Sequence, residues 1–246
     1  MTYCVAIKLN EGLVFASDSR TNAGVDHVNT YSKMFTFQAP DDRMFVILTA
    51  GNLATTQAVI NTVQRDFDDP DARVSLRTVA HLFEAANYVG EINRRESHRH
   101  SDGPTQTSFF PEASFLLGGQ IKGQDHDAFL IYPQGNYITA SPANPYLQIG
   151  ENKYGKPILD RIIALETSLE DAARCALVSL DSTMRSNVSV GPPFELAIYR
   201  RNGLELTHYL NLKLASPLYK SLQKRWNEGL RRAFNRLPRF DWEDDS

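Results

Sequence analysis

Cysteine is scarce: the 246-residue chain carries only Cys4 and Cys175. Two thiols are too few for a disulfide scaffold or a zinc cage, and they fit a reducing, cytoplasmic setting. Long apolar runs are also missing. The longest, around residues 45–50, falls far short of the roughly 20 residues a membrane helix needs. Polar Thr2, Lys8 and Asn10 interrupt the opening segment where an apolar leader would lie, so no secretory signal is expected. Charge of one sign is not in excess, because 26 basic and 29 acidic residues leave a net charge of −3, which disfavours nucleic acid as a partner. No GxGxxG follows a strand, and Gly118-Gly119 is not followed by a phosphate-loop lysine. No GxSxG elbow occurs, and the histidines are scattered without a Cys or Asp frame. Neither a metal nor an organic cofactor is expected.

What remains is a chain of ordinary globular composition, long enough to bury most of its apolar surface without staples. Residues 4–9 and 13–17 flank the turn Asn10-Glu11-Gly12 and read as a hairpin, and 34–38 and 44–50 as a second strand pair. Beyond Gly51 the apolar period changes to that of a helix, ending near Asp68-Asp69-Pro70. Ser75 is expected to cap a second helix carrying Val79, Leu82, Ala86 and Val89. The polar stretch 94–111 reads as a long exposed loop. Strands follow at 113–117, 128–132 and 137–140, then helices at 153–164 and 168–184, with Ser168 and Asp171 as a variant capping box. A hairpin, 194–199 with 204–210, and an amphipathic basic helix from Pro217 to about 237 close the chain.

Strands and helices segregate in blocks, which points to an antiparallel α+β fold. We expect two stacked antiparallel sheets with a helix pair on each outer side, a four-layer αββα sandwich, plus the C-terminal helix. No linker divides the chain, so residues 1–246 are read as one domain.

Thr2 is the chemically distinctive residue. Removing Met1 leaves its hydroxyl beside a free α-amine, whose pKa of roughly 8 lets it accept the hydroxyl proton near neutrality. Such a nucleophile needs a nearby cation and a carboxylate to hold it. Asp18, at the end of the second strand, and Lys33, just before the third, supply those residue types.

The segments Ala16-Ser17-Asp18-Ser19-Arg20-Thr21-Asn22-Ala23-Gly24, Lys33-Met34 and Thr49-Ala50-Gly51 resemble those of proteasome β-type subunits. These are threonine proteases of the N-terminal-nucleophile hydrolase superfamily. The opening Met1-Thr2-Tyr3-Cys4-Val5-Ala6 and the long last helix are most similar to the bacterial ancestral β-subunit group, called Anbu. The resemblance implies Thr2 as nucleophile, Asp18 as the carboxylate that orients the lysine, Lys33 as the cation and Gly51 as oxyanion donor.

It also implies a self-compartmentalising peptidase or amidohydrolase acting on peptides or other amides, in a ring or open-ring homo-oligomer. The chain departs from the family pattern beyond the fourth helix. There Ser186 stands where the family has its supporting aspartate, Ser189 can match the serine, and Glu151 replaces a second supporting serine. The alternative readings are a non-catalytic structural subunit of such a ring, which would have no use for Thr2, Asp18 and Lys33 together, and a nucleic-acid binder using the basic helix.

Overall fold

In the computed structural model, residues 1–22, 28–101 and 112–243 are described. Ala23 and Gly24, the end of the 94–111 stretch and the last acidic residues of the tail lie outside them. The two expected sheets are present, and every pairing is antiparallel. One sheet runs β10 (Tyr146–Gly150), β1 (Tyr3–Leu9), β2 (Gly12–Asp18), β11 (Phe194–Arg200), β12 (Leu206–Leu212). The other runs β5 (Met34–Ala39), β6 (Arg43–Gly51), β7 (Ala113–Ile121), β8 (Asp127–Ile131), β9 (Tyr137–Thr139). Short β3 (Arg20–Asn22) and β4 (Val28–Thr30) pair with each other alone.

Alternation along each central strand explains the layering. In β1, Tyr3, Val5, Ile7 and Leu9 face α3 (Lys156–Ile162) and α4 (Leu169–Ser186), while Cys4 and Ala6 face the other sheet. In β6, Phe45 and Ile47 face α1 (Leu53–Asp68) and α2 (Leu82–Ser101), while Met44, Val46 and Leu48 close the inter-sheet layer. Both faces of these strands are therefore dry, which is why they read as continuous apolar runs. Gly118 lies in the inter-sheet layer, where a Cβ would sit 2.8 Å from the Phe15 ring; a Cβ on Gly119 would sit 2.1 Å from Met44 O on the neighbouring strand.

Four expectations are corrected. Ser75 does not cap α2; it closes a separate turn, accepting from Thr78 and Val79 N–H on its carbonyl and from Arg77 N–H on its hydroxyl. The helix begins later, at Leu82, and its entry is held by Glu84, whose carboxylate accepts the Ala80 and His81 N–H groups. Residues 94–101, read as loop, continue α2. The helix expected over 153–164 is shorter, Lys156–Ile162, after a turn ending at Gly155. The edge strand β10 was not expected at all. The Ser168–Asp171 cap is present: Ser168 Oγ accepts Asp171 N–H at 3.1 Å and bonds its carboxylate at 2.8 Å.

The last helix, α5 (Pro217–Phe234), docks only by its first turns. Tyr219 is fully buried, stacks edge-on against Phe194 at 5.3 Å and donates its hydroxyl to Asp181 at 2.6 Å. Beyond Trp226 the helix leaves the body, with Leu230, Phe234, Leu237, Phe240 and Trp242 exposed.

Candidate active site

The N-terminal end of β1 and the C-terminal ends of β10, β2 and β6 converge at one mouth of the sandwich. Thr2 is half-buried there, and its carbonyl accepts the Glu151 N–H at 2.7 Å. Gly150 makes this approach possible, with φ +82°. A Cβ at that position would lie 1.9 Å from Thr2 O.

Asp18 is fully buried at the end of β2. Its Oδ1 accepts both Lys33 Nζ, at 2.7 Å, and the N–H of Tyr3, at 3.0 Å, and its Oδ2 accepts Gly191 N–H at 3.2 Å. One carboxylate oxygen thus ties the lysine to the residue that follows Thr2. Lys33 is itself buried and donates a second bond to Arg20 O at 2.6 Å. Burial pushes the Asp18 carboxyl up from its ordinary range, against the pull of the Lys33 ammonium and the two backbone N–H groups. Burial also pushes the thiols of Cys4 and Cys175 up, the latter to about 12, so neither offers a competing thiolate.

Gly51 ends β6, with φ +114°, and is followed directly by Asn52, whose side chain caps α1 by accepting Thr55 N–H at 3.1 Å. A Cβ on Gly51 would meet Glu112 O at 2.4 Å, so the position takes glycine alone. The same strand is registered on Lys33, because Thr49 N–H donates to Lys33 O at 3.0 Å.

The third group lies beyond α4. Glu151, nearly buried, accepts Asn187 Nδ2–H at 3.1 Å, and Asn187 Oδ1 accepts Ser189 N–H at 3.0 Å and Ser189 Oγ–H at 2.5 Å. The sulfur of Met1 lies 3.9 Å from the same Asn187 nitrogen, which sets this chain beside the N-terminus. Glu151 and Ser189 are therefore brought together. Ser186 is exposed at the end of α4, and Asn187 occupies the linking place instead. Sequence reasoning missed Asn187, whose only signal was its position between Ser186 and Ser189. It also missed Glu195, a buried carboxylate on β11 next to Lys33 N–H.

Among the described residues no group of three or more His, Cys, Asp or Glu is placed to hold a metal, and no helix is long and apolar enough to cross a membrane.

No family model and no curated protein matches this sequence. Solved structures do. The chain is similar to "Anbu (ancestral beta-subunit) from Yersinia bercovieri", at 46% identity and TM-score 0.91, covering 97% of this chain and 98% of that one. It is similar to the protein in "Helical Assembly of the Anbu Complex from Pseudomonas aeruginosa", with 46% identity, TM-score 0.91 and the same coverage. It also matches Anbu from Hyphomicrobium sp. strain MC1 at 42% identity and TM-score 0.88, over 97% of this chain and 99% of that one. With near-complete mutual coverage at such identity, and the same four-layer fold, the chain belongs to the ancestral β-subunit (Anbu) family of proteasome-like, N-terminal-nucleophile hydrolase subunits.

Proposed function

We propose that the chain is a threonine-type amide hydrolase, with Thr2 as nucleophile once Met1 has been removed, working within a homo-oligomeric ring or open ring. The observation that carries this reading is the shared Asp18 oxygen, which fixes Lys33 and the Thr2–Tyr3 peptide to one buried point. With Met1 attached, the Thr2 nitrogen is an amide and has no basic lone pair. Met1 is 67% exposed, within reach of an aminopeptidase, and Thr2 is small enough to permit cleavage.

The freed amine then takes the Thr2 hydroxyl proton as Oγ attacks the substrate carbonyl carbon. Lys33, paired with Asp18 at 2.7 Å, favours the deprotonated forms of both groups. The oxygen of the tetrahedral intermediate gains charge and is met by Gly51 N–H, at the positive end of α1. Its collapse expels the amine, which leaves with the proton, and an acyl ester remains on Thr2. Water, deprotonated by the α-amine, hydrolyses that ester and restores the site. Glu151, Asn187 and Ser189 support the N-terminal segment, and the natural substrate is a peptide or another amide. The two buried, unpaired cysteines support a reducing, cytoplasmic location.

The test is covalent labelling of purified, Met1-processed protein by a peptidyl β-lactone, read by intact mass. Thr2→Ala should fold and take up no label. Undiminished labelling of that variant would end the proposal.

A further inference from the structure

Glu195 is 2% exposed, on the inner face of β11, where its neighbours Ala197 and Tyr199 are likewise buried. No salt bridge reaches it among the described residues, so its carboxylate is held by hydrogen bonds alone. Its Oε2 lies 3.3 Å from Lys33 N, 3.3 Å from Ser19 Oγ and 3.5 Å from Ser17 Oγ. Ser32 Oγ sits 2.9 and 3.0 Å from the two carboxylate oxygens, and the Tyr209 hydroxyl donates to Oε1. Ser17 is Glu195's direct cross-strand partner in the β2–β11 ladder.

The donors are not scattered. Ser17 and Ser19 bracket Asp18, and Ser32 immediately precedes Lys33. A buried carboxylate is costly unless every lone pair finds a donor, and an apolar residue would satisfy the packing as its neighbours do. Here a single anion gathers the two segments that carry the site's ion pair. We propose that Glu195 is a positioning residue, holding the Ser17–Ser19 and Ser32–Lys33 segments so that Asp18 and Lys33 meet beside Thr2. This rests on the threonine reading above, since Lys33 has this role only if Thr2 is the nucleophile. Glu195 touches no reacting atom; it acts through Ser32 and the Lys33 peptide. Tyr209, on the edge strand β12, extends the same network to the molecular surface, with 47% of it exposed.

The experiment measures the rate of β-lactone labelling against lactone concentration, using full-length processed protein. Glu195→Gln keeps the shape but turns an amide toward groups that all donate. It should lower the maximal labelling rate roughly tenfold or more, while the half-saturating concentration stays within about twofold. Ser32→Ala should show a smaller loss with the same split. The double variant should be no slower than Glu195→Gln alone, because both act through one contact.

Labelled wild type with a Glu195→Gln rate within about twofold of it would overturn the inference, as would losses that multiply in the double variant. A wild type that takes no label removes the threonine reading itself, and this inference with it. If Glu195→Gln fails to show a cooperative melt, Ser32→Ala and Tyr209→Phe decide. Reduced maximal rates in both support the network, and unchanged rates in both overturn it.

Discussion

A buried ammonium persists only where its partners outweigh the loss of water, and Lys33 has two, Asp18 and the Arg20 carbonyl. Removing the ammonium leaves Asp18, with no exposed side-chain surface, without its counter-ion and held only by the Tyr3 and Gly191 N–H groups. Lys33→Ala should therefore abolish labelling and also cost about 3–5 kcal/mol of stability. Adding Asp18→Asn should restore stability but not labelling, and urea unfolding separates the two effects. Gly150 makes a second residue-scale prediction. Because its Cβ would displace the Thr2 carbonyl, Gly150→Ala should lose labelling although it removes none of the site's polar side chains. Intact labelling would show that the Thr2 carbonyl has room to move. That the Thr2–Tyr3 peptide, Asp18 and Lys33 would come together was legible because each stands at a strand boundary inside a recognisable motif. Asn187 and Glu195 were not, because they reach their partners across 36 and 162 residues, and no local pattern encodes that proximity.

Secondary structure followed the same division. The central strands and α1 declared themselves through apolar runs and period, since packing on both sides demanded them. By contrast β10, YLQIG, is an edge strand that follows Pro142 and Pro145, and only its pairing with β1 makes it a strand. The end of α2 is rich in Arg, Glu and His and shows no apolar period. It stays helical by propensity and by continuing a helix already docked through Val89 and Ile92.

One junction between elements carries a pH prediction. His126, just before β8, is 5% exposed and bonds Leu9 O at the end of β1 through Nε2 at 2.7 Å. Nε2 therefore carries the proton, and Nδ1 has no partner among the described residues. Burial lowers the His126 pKa from its ordinary 6.5, Lys8 and Arg201 lower it further, and the Leu9 carbonyl and Asp125 oppose them. A lowered folded-state pKa gives stability that is present above 6.5 and lost as pH falls, because the unfolded chain binds the proton first. Acidification from about pH 7.5 to about 5.5 should thus lower the melting midpoint of wild type more than that of His126→Gln. Equal falls would show that His126 titrates alike in both states.

At the scale of the whole molecule, the four layers close on themselves, and the end of α5 leaves a run of apolar side chains exposed. The apolar stripe of Tyr219, Leu222, Trp226 and Leu230 divides in the structure. Tyr219 is core, Leu222 packs against that core, Trp226 is half-buried, and Leu230 is 49% exposed. Between α4 and α5 lies a groove of about 900 Å³, lined by Ile162, Cys175, Val178, Leu222 and Trp226 among others. Exposed Leu237, Phe240 and Trp242, the last two stacked at 4.5 Å, follow the helix end in sequence.

An apolar segment projecting from one end of a chain suits a heterologous, head-to-tail contact, the kind that builds rings or open helices. The related Pseudomonas aeruginosa structure is titled as a helical assembly. We therefore expect the distal part of α5 to serve assembly rather than nucleic acid. Because Tyr219 is structural, a deletion beginning at 217 would damage the subunit core, so the informative cut begins at 227. Removing residues 227–246 should give smaller species in solution with a melting transition close to that of the isolated wild-type subunit. An unchanged assembly mass would mean that the helix end only covers its own subunit, and a strong loss of affinity for DNA would revive the nucleic-acid reading.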